Sequence, residues 1–263
     1  MSQSISLSGK HALVCGASSG IGEACAMALA GQRASVTVLA RREDKLQSLV
    51  SQLQVAGSVR AEYVVCDMDD LGAFEATLRR VLEEHGPVHV AVHNTGGPKA
   101  GPLLERSPED FLAVFRRHQL TAQILVQTLL PKMKDAGYGR FIQILSTAAR
   151  EPILGLGLSS TIRAGMIGWA KALADELPPG ITINNVLPGY VDTERLKVLE
   201  QSLSKARDVT PESVRQGWID GIPEGRLGRP DELGAAVLFL ASPLASYVRG
   251  ISLPVEGGRM RSH

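Results

Sequence analysis

Ala12-Leu13-Val14-Cys15-Gly16-Ala17-Ser18-Ser19-Gly20-Ile21-Gly22 decides the fold. An apolar run ends in a glycine, and two further glycines open an apolar helical pattern. Gly16 permits a sharp exit from a strand. Gly20 and Gly22 remove β-carbons where backbone must approach a pyrophosphate and where helix must pack on sheet. A helix beginning at Gly20 offers unpaired N–H groups to negative charge, and Ser18 and Ser19 add hydroxyl donors. A glycine pattern alone is weak, but here it follows a strand and starts a strand–helix–strand alternation, the context a dinucleotide loop requires.

Outward from this stretch the alternation continues. Apolar runs at Ala12–Cys15, Ser35–Leu39, Glu62–Cys66, Val88–Val92, Phe141–Leu145, Thr182–Val186 and Ile251–Val255 read as strands covered on both faces. Helical patterns lie between them at Gly20–Ala30, Glu43–Leu53, Leu71–Glu84, Pro108–Met133 and Ser160–Leu177. The expectation is α/β: one doubly wound domain over residues 1–263, with about seven parallel strands flanked by helices. The segment from Tyr190 to Gly228, with helical fragments at Leu196–Ala206 and Pro211–Gly217, follows a strand end and reads as a substrate lid.

Length and composition narrow the function. The 263 residues can bury about three-quarters of their unfolded surface. A net charge of +1 gives no field favouring nucleic acid or an anionic membrane, and the basic end Arg259-Met260-Arg261-Ser262-His263 is too short for a nucleic-acid arm. Cys15, Cys25 and Cys66 lack metal-ligand spacing and read as reduced core residues, so no metal is expected. Met1-Ser2-Gln3-Ser4 carries no basic-then-apolar leader, and no run of about 20 apolar residues would span a bilayer. The expected location is the cytoplasm. About 20 residues past the glycines, Arg41 and Arg42 stand where an acid would read a free ribose hydroxyl; two guanidinium groups suit a 2′-phosphate, so NADP(H) is expected to be preferred, with NAD(H) possible.

With these residues in view, the chain resembles the short-chain dehydrogenase/reductase family over essentially its whole length, and most closely its 3-oxoacyl-acyl-carrier-protein reductase-like branch. Gly16-x-x-x-Gly20-x-Gly22, with Ile21 between the last two glycines, is similar to the family's nucleotide loop. Asp67 and Met68 resemble its adenine contact, and His93-Asn94-Thr95-Gly96-Gly97 its segment after strand four, with Asn94 and Gly96 at the cofactor. Pro188-Gly189-Tyr190-Val191-Asp192-Thr193 resembles the segment facing the nicotinamide, bringing Pro188, Gly189, Val191 and Thr193 to it. Arg226-Leu227-Gly228-Arg229-Pro230-Asp231-Glu232 and Glu256-Gly257-Gly258 resemble the C-terminal signatures. The resemblance implies a small-molecule carbonyl or alcohol substrate and a homotetramer or dimer, for which the apolar stripes of Pro108–Met133 and Ser160–Leu177 are suitable.

The departures fall on the catalytic set of Asn, Ser, Tyr and Lys. Counting back from Gly168-Trp169-Ala170-Lys171 puts Ser159 at the Tyr position and Arg163 at the Lys position; Gln119 aligns with the Asn, and Ser146 alone is retained. A Ser hydroxyl is a far weaker acid than a Lys-supported phenol, and Arg163 stays charged and relays protons poorly. Losing a positioned general acid costs ~10²–10⁴ in rate. Two functions stay open: an atypical or weakened oxidoreductase, and a non-catalytic NADP-binding sensor or scaffold. A lyase of the halohydrin-dehalogenase kind would need Tyr at 159 and a remodelled glycine loop, and the chain has neither. Among substitute acids, Tyr190 reads as a lid residue packing on apolar neighbours, His93 as a satisfied core histidine, Tyr138 as surface, and His118 as pointing off the far face of its helix. Trp169 and Trp218 read as packing or subunit contacts.

Overall fold

A computed structural model describes residues 5–262. Met1–Ser4, where no leader was expected, and His263, the last residue of the basic end, lie outside the described residues. Seven strands form one sheet in the order β3-β2-β1-β4-β5-β6-β7. They are β1 (His11–Cys15), β2 (Ser35–Ala40), β3 (Ala61–Val65), β4 (Val90–Asn94), β5 (Gly139–Ile144), β6 (Ile181–Pro188) and β7 (Ser252–Val255), and every pairing is parallel. The seven apolar runs are therefore the seven strands, with ends shifted by a residue or two.

The order reverses between β1 and β4, whose carboxyl ends open a crevice at the topological switch. Helices α1 (Gly20–Ala30), α2 (Glu43–Ala56) and α9 (Pro230–Ala241) cover one face through Cys25, Leu29, Leu46, Leu53, Val237 and Leu240. Helices α3 (Leu71–His85), α5 (Thr121–Asp135) and α6 (Gly157–Glu176) cover the other through Phe74, Leu78, Leu125, Leu129, Met133 and Ala170. All three cysteines are free and buried, and burial pushes the Cys15 and Cys25 thiols up to about 12. No described helix is long and apolar enough to cross a membrane.

The helix expected over Pro108–Met133 is three pieces. Helix α4 (Pro108–Phe115) starts on a Ser107 capping box with Pro108 at its first position, a π-helical turn spans Arg116–Leu120, and α5 continues from Thr121. Helix α9 gives no sequence periodicity because Leu233-Gly234-Ala235-Ala236-Val237-Leu238 is apolar on every side. Residues 190–228 form α7 (Glu194–Arg207) and α8 (Pro211–Asp220), each capped by a threonine, Thr193 and Thr210. Their apolar side chains, Leu196, Val214, Trp218, Ile222 and Leu227, make a cluster separate from both sheet faces.

Tyr138 is half-buried rather than on the surface. Its hydroxyl donates to the Ala241 carbonyl at 2.6 Å, and its ring lies between Lys10 and Arg140 at 4.2 and 4.1 Å. The hydroxyl bond ties the α9 end to the residue that precedes β5, and the two cations seat the ring.

Helices α1 and α9 meet at Gly234, where a β-carbon would lie 2.7 Å from the Ala24 carbonyl oxygen. The clash is with backbone, so the helices must separate. Gly234→Ala is expected to lower unfolding free energy by about 1–3 kcal/mol and the melting temperature with it. Calorimetry or urea titration checks this, and an unchanged midpoint would mean that the two helices have slack.

Candidate functional site

The site begins with backbone. Gly16 and Gly20 hold φ of +61° and +63°. A β-carbon on Gly16 would stand 2.4 Å from the Asn94 carbonyl oxygen, and one on Gly22 2.3 Å from the Gly16 carbonyl oxygen. Asn94 Nδ2 donates to that Gly16 carbonyl at 3.1 Å, so Asn94 braces the loop from across the crevice. Ser19 caps α1 without a side-chain bond, leaving the first N–H groups of α1 free to meet an anion. A cradle that side chains would fill, facing a free helix N-terminus, fits a dinucleotide pyrophosphate.

Arg42 reaches back over this loop. Its Nη2 donates to Ser18 Oγ at 2.9 Å and to Ser19 Oγ at 2.7 Å. Arg41 faces Asp67 at 3.6 Å, both largely exposed, and Met68 is buried behind them. Of the two arginines, Arg42 therefore stands closer to where a phosphate would extend from the loop.

Beyond the loop lies a cleft of about 360 Å³ between the carboxyl ends of the central strands and the 190–228 segment. Gly16, Ser19, Gly20, Ile21, Asn94 and Gly96 line it, together with Pro188, Gly189, Val191 and Thr193 and with Ser146, Ser159 and Arg163. Ser146 ends its strand exit with Oγ accepting from the Ala148 N–H at 3.1 Å. Arg163, on α6, is only 8% exposed and donates Nη1 to the Leu145 carbonyl. Its Nε is buried with no partner among the described residues. Burial, then the charge of Arg195, pulls its pKa down to about 10, so it remains a cation at neutral pH.

Gln119 does not line this cleft. Its side chain makes no hydrogen bond among the described residues. His118 lies in the π-helical turn and points inward, contrary to the outward orientation expected for it. His118 is 1% exposed, and its Nδ1 meets Thr95 Oγ1 at 2.5 Å. Thr95 lines the cleft. His93 is the satisfied core histidine expected, bonded to Gln143 at 3.2 Å and Thr121 at 2.8 Å. Tyr190 lines the cleft but stacks on Trp218, with ring centroids 4.9 Å apart, as a lid residue should. Trp169, on α6, donates to Gln123 of α5 at 2.9 Å.

Arg195 is a cleft residue that the sequence did not single out. It donates to the Gly97 and Pro98 carbonyls at 3.1 and 2.6 Å and so ties α7 to the segment after β4. Its one sequence signal is position, two residues beyond Thr193. No group of three or more potential metal ligands occurs among the described residues.

This architecture can be set beside known proteins. The family model described as enoyl-(acyl carrier protein) reductase matches residues 16–259. The chain belongs to the short-chain dehydrogenase/reductase family. It is 32% identical over 251 residues to the 3-oxoacyl-acyl-carrier-protein reductase FabG of Escherichia coli, covering 95% of this chain and 97% of that one. It is also 32% identical over 255 residues to nodulation protein G of Azospirillum brasilense, covering 96% and 98%. Among solved structures, L-sorbose reductase from Gluconobacter frateurii, complexed with NADPH and L-sorbose, superposes with a TM-score of 0.92 at 27% identity, covering 98% of this chain and 99% of that one.

The buried imidazoles give the protein an acid sensitivity. Burial lowers His11 and His93 to about 4, and burial, Arg163 and His93 lower His118 to about 2. Unfolded histidine titrates near ~6.5, so below that pH the unfolded chain binds protons that the native chain refuses. Stability is full above this value and falls with acidification, by up to about 1.4 kcal/mol per pH unit for each histidine. Urea midpoints between about pH 7.5 and 5 should decline, and His118→Asn should flatten the slope by one histidine's share. An unchanged slope in that variant would mean that His118 is not held neutral.

Proposed function

We propose that this chain is an NADP-preferring short-chain oxidoreductase acting on a carbonyl or alcohol of the 3-oxoacyl-thioester kind, with weakened proton transfer. The observation that carries the reading is that Ser146, Ser159 and Arg163 share one cleft with the glycine loop. Bound there, a reduced nicotinamide supplies hydride to the substrate carbon. Arg42, with Ser18 and Ser19, holds the 2′-phosphate, while Asp67, Met68, Asn94 and Gly96 frame the nucleoside. Residues 190–228 act as the lid of a single dinucleotide-binding domain that works in the cytoplasm.

Within the cleft, Ser146 orients the substrate oxygen by hydrogen bonding. Ser159 sits at the family's Tyr position, and its hydroxyl is too weak an acid to hand over a proton near neutral pH. Arg163, at the Lys position, stabilises negative charge on the oxygen and holds ribose hydroxyls, but keeps its own protons. Tyr190 is the one tyrosine lining the cleft, and its ring is engaged by Trp218 on one side and Arg259 at 5.0 Å. The same shortage of acids favours a second reading, a non-catalytic NADP-binding sensor or scaffold. Exposed Leu104, Leu112 and Phe115 around α4 support a homo-oligomer, dimer or tetramer.

Two measurements test the reading. NADPH should bind more tightly than NADH by calorimetry, and Arg42→Ala should remove the difference while Arg41→Ala removes less; equal affinities in the unmodified protein would overturn the 2′-phosphate assignment.

Reduction of a 3-oxoacyl thioester should run ~10²–10⁴ below a chain with the full catalytic set. The pair Ser159→Tyr with Arg163→Lys should raise it, by less than the full deficit because the surroundings are not shaped for a phenol. Unmodified turnover at the ordinary level would point to another acid; loss of it in Tyr190→Phe would name Tyr190, and no loss would leave water. No turnover with intact NADPH binding would favour the sensor.

A further inference from the structure

The basic stretch Arg259-Met260-Arg261-Ser262 runs back across the molecule instead of leaving it. The chain comes off β7 through Gly257 and Gly258, whose φ of +70° and +84° turn it sharply. There it lies on the foot of the 190–228 segment: the Gly257 carbonyl accepts from the Glu224 N–H at 3.1 Å, and a β-carbon on Gly257 would stand 2.7 Å from Ile222 Cγ2. The Glu256 carboxylate closes the turn, accepting from the Gly258 and Met260 N–H groups at 3.1 and 2.7 Å. Arg261 and Ser262 then donate their N–H groups to one oxygen of Glu151, each at 2.7 Å.

Glu151 stands between Ser146 and Ile153, both of which line the cleft. The Ser262 N–H and hydroxyl, then the Arg261 N–H and the charge of Arg259, hold its carboxyl below the usual carboxylate range, so the acceptor is ionised at neutral pH. The stretch is thus fastened to the 190–228 segment at one end and to the chain that follows β5 at the other.

Arg259 lies between the two fastenings. Its guanidinium carbon is 5.0 Å from the centre of the Tyr190 ring. Trp218 stacks on the same ring, with centroids 4.9 Å apart and 16° between the planes, and covers one face; the guanidinium takes the other. The Nη1 of Arg259 is buried with no hydrogen-bond partner among the described residues, so the ring is what meets the buried side of the cation. Tyr190 itself lines the cleft. A series of contacts therefore runs from Glu151 through the backbone of residues 259–262 to Arg259, Tyr190 and Trp218. None of these residues belongs to the glycine loop or is Arg41 or Arg42.

We propose that Arg259 is a positioning residue and that residues 259–262 form a clasp. Anchored on Glu151, the clasp seats the Tyr190 ring in the cleft wall and keeps residues 190–228 closed over the acyl portion of the substrate. This rests on reading the cleft as the site of an NADP-dependent reductase of 3-oxoacyl thioesters. A cation on an aromatic face shifts an equilibrium by about two- to fivefold. That factor is enough to move the balance between closed and open forms of a segment that buries its apolar side chains against itself.

The test uses the full chain loaded with NADP⁺ and reads two quantities: hydrogen exchange of the α8 amides by mass spectrometry, and binding of acetoacetyl-CoA by calorimetry. Arg259→Ala should speed α8 exchange and weaken acetoacetyl-CoA, each by about two- to fivefold, while NADP⁺ affinity and exchange in the central strands hold. Arg259→Lys keeps a cation over the ring and should stay near the unmodified chain. Glu151→Ala touches neither Tyr190 nor Trp218, yet should also speed α8 exchange. In the Arg259→Ala background it should add nothing, because a tether with nothing on its end transmits nothing. Unchanged α8 exchange in Arg259→Ala, a Glu151→Ala effect that persists in the double variant, or an Arg259→Lys chain as loose as Arg259→Ala overturns the clasp while the reductase reading stands. Faster exchange with acetoacetyl-CoA affinity unchanged, or a loss of NADP⁺ affinity instead, overturns the positioning role. An unmodified chain that takes up no NADP⁺, or takes up NADP⁺ but no acetoacetyl-CoA, overturns the parent reading, and the substrate role of the clasp with it.

Discussion

The bond from Asn94 to the Gly16 carbonyl is the constraint around which the molecule is arranged. It crosses from the end of β4 to the end of β1, the two neighbours at which the strand order reverses. The two residues packed against that bond, Gly16 and Gly22, carry no side chain. Gly16 has Asn94 backbone against it, and Gly22 has Gly16 backbone against it. The free N–H groups of α1 point into the cleft because three backbone segments meet there with no β-carbon between them. A polar side chain spans the gap because a buried carbonyl left unpaired would cost more than the bond returns.

The second organising fact is a buried charge. Arg163 sits almost wholly inside the protein, where a cation is held only by hydrogen-bonding acceptors or an anion. The Leu145 carbonyl supplies one acceptor, and burial, reinforced by the charge of Arg163, keeps the neighbouring imidazoles neutral. The surroundings of Arg163 are thus not those of a salt-bridged structural arginine. Its guanidinium lines the cleft together with Ser146 and Ser159.

The parallel sheet was legible because strands buried on both faces are continuous apolar runs, and all seven were readable from that alone. Helix α1 was readable to the residue because Gly20 and the capping position fix its start. Helix α9 was hidden by its own burial, since a helix apolar all round has no period. At the site, the glycine loop, Ser146, Ser159 and Arg163 were readable as motif positions and do line one cleft. The inward turn of His118 was not legible because facing along a helix is read from a constant number of residues per turn, and the π turn at Arg116–Leu120 breaks that count. Arg195 escaped notice because its importance lies in reaching Gly97 and Pro98, nearly a hundred positions away, a contact that no local pattern announces.

The small cluster of Leu196, Val214, Trp218, Ile222 and Leu227 has a consequence for how the molecule fluctuates. These side chains are sheltered by Tyr190, Leu199, Leu203 and Ile219, all from the same stretch of chain, and not by the sheet. A segment that buries its apolar groups against itself can swing as a unit without exposing them. Its opening free energy is then set by the few ties at its rim, chiefly Arg195 on the Gly97 and Pro98 carbonyls and the Glu224 N–H on the Gly257 carbonyl. The protein therefore has two tiers of cooperativity: amides of α7 and α8 exchange with solvent through small excursions, while those of the central strands wait for global unfolding.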